Sequence, residues 1–166
     1  DLALELEKEG KFPKSIFEKA CKLGFIGIDY PEKYGGQSFG LLENVLVIEE
    51  FTRKDSGIGI SLSLADIASC IILKHGNESQ KKKFLVPVTQ GKAICSVAII
   101  DSFHEENQKP MLTKVEPYSN GYLIHRGKAW VIHGSFTSII VVLCETHNSE
   151  EPIALIVERV WEAVKF

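Results

Sequence analysis

Near residue 91 the spacing of apolar side chains changes from helical to strand-like, and this switch limits the possible folds more than any other feature. Before it, Ile16, Phe17, Ala20, Cys21 and Leu23 recur at three- and four-residue intervals behind Pro13, which suits a first helical turn, and Gly24 supplies a stop. Leu41 to Arg53 reads as a second helix, with Leu42, Val45, Leu46 and Ile48 inward and Glu43, Glu49 and Glu50 outward. Ser56 to His75 is apolar nearly all round, which predicts one central helix closed by Gly76. Asn77 then predicts an N-cap for a short helix, Glu78 to Leu85, ending before Pro87.

Beyond Gly91 the chain breaks into short runs rich in β-formers: Ile94–Ile100, Leu112–Glu116, Tyr122–Arg126, Trp130–His133, Ser138–Cys144 and Ile153–Val157. Asn120-Gly121 is a hairpin dipeptide. Helices followed by antiparallel strands predict an α+β chain, an all-helical part over 1–91 and a strand part over 92–166. Asp101 to Pro110 is its one long polar loop.

With 45% hydrophobic residues the 166-residue chain buries a real core, and a net charge of −3 gives no basis for nucleic acid as a partner. Lys81-Lys82-Lys83, the single basic run, reads as a solvated helix face rather than a phosphate-steering patch. Cys21, Cys70, Cys95 and Cys144 form no C-x-x-C, which predicts reduced, partly buried thiols and an intracellular setting, cytoplasm or organelle matrix. The longest apolar stretch, Ile58 to Leu73, is interrupted by Ser61, Ser63, Asp66 and Ser69, so no membrane span is expected. The chain begins at Asp1 and its single methionine is Met111, so a piece of a longer protein is expected.

Four segments together carry a likeness: Pro31-Glu32-Lys33-Tyr34-Gly35-Gly36, Ile72 to Lys81, Phe84 to Gly91, and Gly127-Lys128-Ala129-Trp130-Val131-Ile132-His133-Gly134. In this order they resemble the acyl-CoA dehydrogenase family. The resemblance implies a helical N-terminal domain, an antiparallel β-barrel-like middle domain that is incomplete at the C-terminus here, and a further helical domain outside the 166 residues. It implies FAD as cofactor, an acyl-CoA thioester as ligand, and assembly into homo- or hetero-oligomers. A carboxylate takes the α-proton while the β-hydrogen leaves as hydride to the flavin. That base lies in the missing domain, so no residue of this chain is assigned to catalysis.

The resemblance also assigns the cofactor-facing positions. The family's loop T-E-P-x-A-G-S-D runs from Ile100 through Asp101 to Glu106 and Asn107, and its W-I-T-N-G runs from Trp130 to Gly134. Ile100, Trp130 and Ile132 are thereby the cofactor contacts and Glu106 the substrate contact. The chain departs from the pattern where Ile132 replaces the hydroxyl-bearing threonine, His133 the asparagine, and His104, Glu105 and Glu106 small or neutral residues. Carboxylates beside a pyrophosphate repel it, whereas one lost neutral hydrogen bond costs only about 0.5–1.5 kcal/mol. Two readings follow: the segment belongs to a flavin-dependent acyl-CoA dehydrogenase, or to a non-catalytic relative that keeps the fold for binding or assembly. A hydrolase or lyase on this scaffold would need a nucleophile or base from outside the chain.

Other constellations have plainer readings. His104-Glu105-Glu106 with Asp101 matches no metal-ligand spacing and reads as a polar loop, so no metal is expected. His125 and His133 flank the Gly127-Lys128 turn and could approach across strands as a structural pair. Cys95 and Cys144 read as core thiols.

Overall fold

The computed structural model describes residues 2–101, 113–119, 121–125, 129–146 and 149–160, with backbone alone at 99–101, 129 and 149–150. Among the described residues, six α-helices come first: α1 (Leu2–Glu9), α2 (Lys14–Lys22), α3 (Leu41–Lys54), α4 (Ser56–Ser63), α5 (Ser69–His75) and α6 (Glu78–Thr89). Six strands follow: β1 (Cys95–Asp101), β2 (Thr113–Tyr118), β3 (Gly121–Ile124), β4 (Ala129–Val131), β5 (Ile139–Thr146) and β6 (Ser149–Glu158). The α+β order expected from the periodicity switch is found, and α1 is an element the pattern did not predict.

Three helical expectations are corrected. The run 56–75 is two helices, because residues 64–68 leave the helix to serve β1: the Cys95 N–H donates to Ala65 O at 2.9 Å, and the Ala68 N–H to Cys95 O at 3.3 Å. Helix α6 does not stop before Pro87 but contains it. A proline inside a helix costs about 3 kcal/mol, whereas fully burying a large apolar side chain returns roughly 1.5–3 kcal/mol, and α6 buries Phe84, Leu85 and Val88 across that point. On α3 the inward face is corrected in part: Ile48 is partly buried and Glu43, Glu49 and Glu50 are exposed, as expected. Leu42, Val45 and Leu46 are exposed, and Asn44, Val47, Ile48, Phe51 and Thr52 are the partly buried ones. The side turned inward is the one that meets α4 and Phe25, whose ring lies edge-on to Phe51 at 5.6 Å.

The strands form one open sheet in the order β3-β2-β5-β1-β4, with β6 also on β5. Its register is mixed, which corrects the antiparallel expectation. Cys95–Ala98 of β1 run parallel to Ile139–Val142, and Thr113–Val115 of β2 run parallel to Cys144–Thr146. β5 therefore collects β1 and β2 end to end along one edge and antiparallel β6 along the other. Parallel pairing needs a long crossover, and β2 to β4 all lie between β1 and β5. In the β2–β3 hairpin Tyr118 pairs with Gly121. Gly121 of the Asn-Gly dipeptide thus lies in β3; Asn120 is outside the described residues.

One face of this sheet carries the helices. Cys95, Val97, Ile139 and Val141 pack into a common core with Phe12, Phe17, Tyr34, Leu62, Ile72 and Leu85. Ala98, Ile140 and Val157 form a smaller cluster by strand alternation. The turn Pro31–Gly36 is pinned to α6. The buried Tyr34 hydroxyl donates to Glu78 at 2.9 Å, and the Thr89 hydroxyl donates to Tyr34 O at 3.1 Å. A Cβ on Gly36 would stand 2.1 Å from Tyr30 O, so this position accepts only glycine.

Candidate functional site: the β1–β4 edge

β4 is an edge strand among the described residues, held to β1 antiparallel with Ala98 opposite Val131 and Asp101 opposite Ala129. The register shifts between those pairs, a bulge of the kind that re-aims side chains at sheet edges. On this edge Trp130 is 79% exposed. Ile132, just past the strand, is also exposed, at 38%. An indole left in solvent presents a free π-face, which burial in a core would have taken away.

The backbone behind these side chains is tightly held. The Ser96 hydroxyl donates to Ile132 O at 2.6 Å, and Ser96 itself is buried. The Gly134 N–H donates to Val131 O at 3.0 Å, and the Phe136 and Thr137 N–H groups both donate to His133 O at 2.8 Å. The buried Thr137 hydroxyl donates to Ile94 O at 2.9 Å, tying the end of the turn to the start of β1. His133 has φ +56°. Its Nε2 lies 3.0 Å from Ser61 O on α4, and its ring meets Phe12 edge-on at 4.9 Å. Burial lowers the imidazole pKa, and the Ser61 carbonyl opposes that shift. Between α1, residues 10–13, the start of α4 and residues 133–136 lies a half-open cleft of about 570 Å³.

Of the residues assigned from sequence, Trp130 and Ile132 are both exposed, one in β4 and one just past it. Ile100 contributes its β1 backbone, and its side chain is not described. Glu106, with His104 and Glu105, lies outside the described residues. The expected histidine pair does not form: His125 faces Glu116 at 3.3 Å, while His133 turns to α4 and Phe12. Strand spacing could not show this, because both partners of His133 come from the helical layer. Among the described residues no group of three or more His, Cys, Asp or Glu could hold a metal ion.

A second polar pair escaped the sequence reading. The Tyr30 hydroxyl donates to Asp66 Oδ2 at 2.9 Å. Burial pushes the Asp66 carboxyl up from 3.8 to about 6 against the pull of the Tyr30 hydroxyl. The signal was present in Asp66 as the one charge inside an apolar run, but its partner 36 residues away was not. All four cysteines are free; Cys21, Cys95 and Cys144 are buried and Cys70 is exposed. Burial pushes the Cys21 and Cys95 thiols up to about 12 and Cys144 to about 11, which makes them inert core groups.

The described edge suits a flat, largely apolar ring system. It offers an indole face, isoleucine methyls and a fixed backbone, and it lacks a side-chain hydroxyl at 132. A helical layer on a mixed sheet defines an α+β protein. The family model for the N-terminal domain of acyl-CoA dehydrogenases matches residues 1–92. Mitochondrial isovaleryl-CoA dehydrogenase of Pongo abelii is 30% identical over 166 residues, covering 95% of this chain. Among solved structures, an acyl-CoA dehydrogenase complexed with FAD from Bacillus anthracis matches at a TM-score of 0.84 and 27% identity, over 98% of this chain and 28% of that one. Butyryl-CoA dehydrogenase from Megasphaera elsdenii matches at 0.80 and 27% identity, over 94% of this chain and 43% of that one. The chain belongs to the acyl-CoA dehydrogenase family. It spans 39% of the length of the Pongo abelii relative.

Proposed function

We propose that this chain is the helical and strand portion of a flavin-dependent acyl-CoA dehydrogenase, and that the β1–β4 edge is its flavin-facing surface. The observation that carries the reading is Trp130, retained from the family motif and left 79% exposed on an edge strand. In this reading Trp130 and Ile132 hold the flavin ring by face contact, Ile100 contributes from β1, and Glu106 lies at the substrate. The reaction is oxidation of an acyl-CoA thioester, for which bound FAD supplies the hydride acceptor. The proton-abstracting carboxylate is proposed to come from outside residues 1–166.

The proposed division is a helical domain over 1–91 and a middle domain over 92–166, supported by the family model ending at residue 92. Closure of the open sheet into a barrel is proposed for the complete protein, as are oligomeric assembly and an intracellular setting. The mitochondrial relative supports the last of these. Among the described residues no helix is long and apolar enough to cross a membrane.

A second reading, a family member that keeps the fold without turnover, draws on Ile132, which puts a hydrocarbon where the motif has a hydroxyl. Titration of FAD into the complete protein, followed by flavin fluorescence, tests the main reading. Wild type binds, and Trp130→Ala weakens binding about tenfold, the loss expected for one aromatic contact of roughly 0.5–1.5 kcal/mol beyond area burial. A wild type that takes up no FAD overturns the main reading and supports the second. FAD binding without oxidation of any acyl-CoA selects the second.

A further inference from the structure

We propose that His133 is a positioning residue for the flavin-facing strand: its ring latches the turn after β4 to helix α4 and thereby fixes where Trp130 and Ile132 stand. This rests on the reading of the β1–β4 edge given above. The backbone conformation alone does not call for an imidazole. At φ +56° glycine or asparagine would serve at least as well, and the family motif has asparagine here.

What the histidine adds is reach. A carbonyl can only accept, so the 3.0 Å contact between Nε2 and Ser61 O places the ring proton on Nε2, and the contact joins residues 72 apart in the chain. Phe12 holds the same ring from its side at 4.9 Å. Neither anchor belongs to the sheet. The His133 main-chain carbonyl in turn gathers the Phe136 and Thr137 N–H groups, while Ser96 grips the Ile132 carbonyl from β1. Ile132 is thus held between a sheet anchor and a helix anchor. Asparagine, whose amide nitrogen is one bond nearer the backbone than Nε2, keeps the turn and loses the helix anchor.

The experiment compares wild type with His133→Asn and His133→Gly in the complete protein. Both replacements suit the backbone, and melting temperature monitors folding. FAD affinity is read by flavin fluorescence, and hydrogen exchange is read at the Gly134 and Phe136 amides. The proposal expects FAD binding weakened ~3- to 10-fold, the loss that goes with one hydrogen bond, and amide exchange accelerated by a similar factor. Binding and exchange unchanged in both variants overturn it, since the residue would then serve the turn alone. If wild type takes up no FAD, the flavin reading fails. The latch is then judged by exchange, and unchanged exchange sinks it.

Discussion

At Asp66, one carboxyl makes stability depend on pH. Its folded pKa of about 6 stands above the ordinary 3.8, so the folded state holds the proton more tightly than the unfolded chain. Below about pH 4 both states are protonated and the stability is fully present. As pH rises through 6 it is lost, by roughly 2–3 kcal/mol for a shift of about two units. His133 works the other way: its lowered pKa favours the neutral ring, so its contribution is present above 6.5 and lost as pH falls through the folded value. The two are separated by Asp66→Asn, which keeps an acceptor for the Tyr30 hydroxyl and carries no charge at any pH. The melting temperature of Asp66→Asn relative to wild type should rise between pH 4 and pH 7. A difference that stays flat across that range would show that the carboxyl is not held protonated. The sequence disclosed Asp66 as a charge in an apolar run and Trp130 as a motif residue. It could not disclose Tyr30 beside Asp66 or Ser61 beside His133, because both contacts join residues that only folding brings together.

In helix α4, two glycines two residues apart face opposite consequences. Replacing a helical glycine by alanine gains up to about 1 kcal/mol from backbone propensity. At Gly57 an added Cβ meets only Asp55 Oδ1 at 3.5 Å, an ordinary contact. Gly57→Ala should therefore stabilise the protein by up to about 1 kcal/mol. At Gly59 the added Cβ would lie 2.6 Å from both Cα and N of Thr52, where α3 crosses α4. Backbone cannot rotate away as a side chain does, and overpacking of this kind costs typically 1–3 kcal/mol. Gly59→Ala should be net destabilising in urea or thermal unfolding, and equal responses at the two sites would refute the close crossing. Local signals served well for elements with their own punctuation. Asn77 caps α6 with its side chain on the Gln80 N–H at 2.9 Å, as the sequence indicates. They failed where tertiary pairing took over, as in the break at 64–68 and in the run of α6 through Pro87.

At the scale of the whole molecule, α3 departs from an inward-facing apolar pattern on its exposed face. Leu41 is 76% and Leu42 67% exposed, with Val45 and Leu46 at half exposure on the next turn. A contiguous apolar stripe of this kind attracts other apolar groups. The isolated 166-residue chain should bind a hydrophobic fluorescent dye, and Leu42→Glu with Leu46→Glu should remove most of that signal without lowering the melting temperature. Dye binding that persists undiminished would place the sticky surface elsewhere.

The periodicity switch near residue 91 determined the order of helices and strands, since apolar spacing follows from the repeat of each backbone conformation and needs no partner. The family motifs determined membership, because a segment such as the Pro31–Gly36 turn, where position 36 has room only for glycine, demands particular residues. Strand direction in the sheet, the inward face of α3 and the anchoring of His133 were decided by tertiary structure alone. Each depends on which distant surface an element meets, and burial against that surface outweighs any preference written in the element itself.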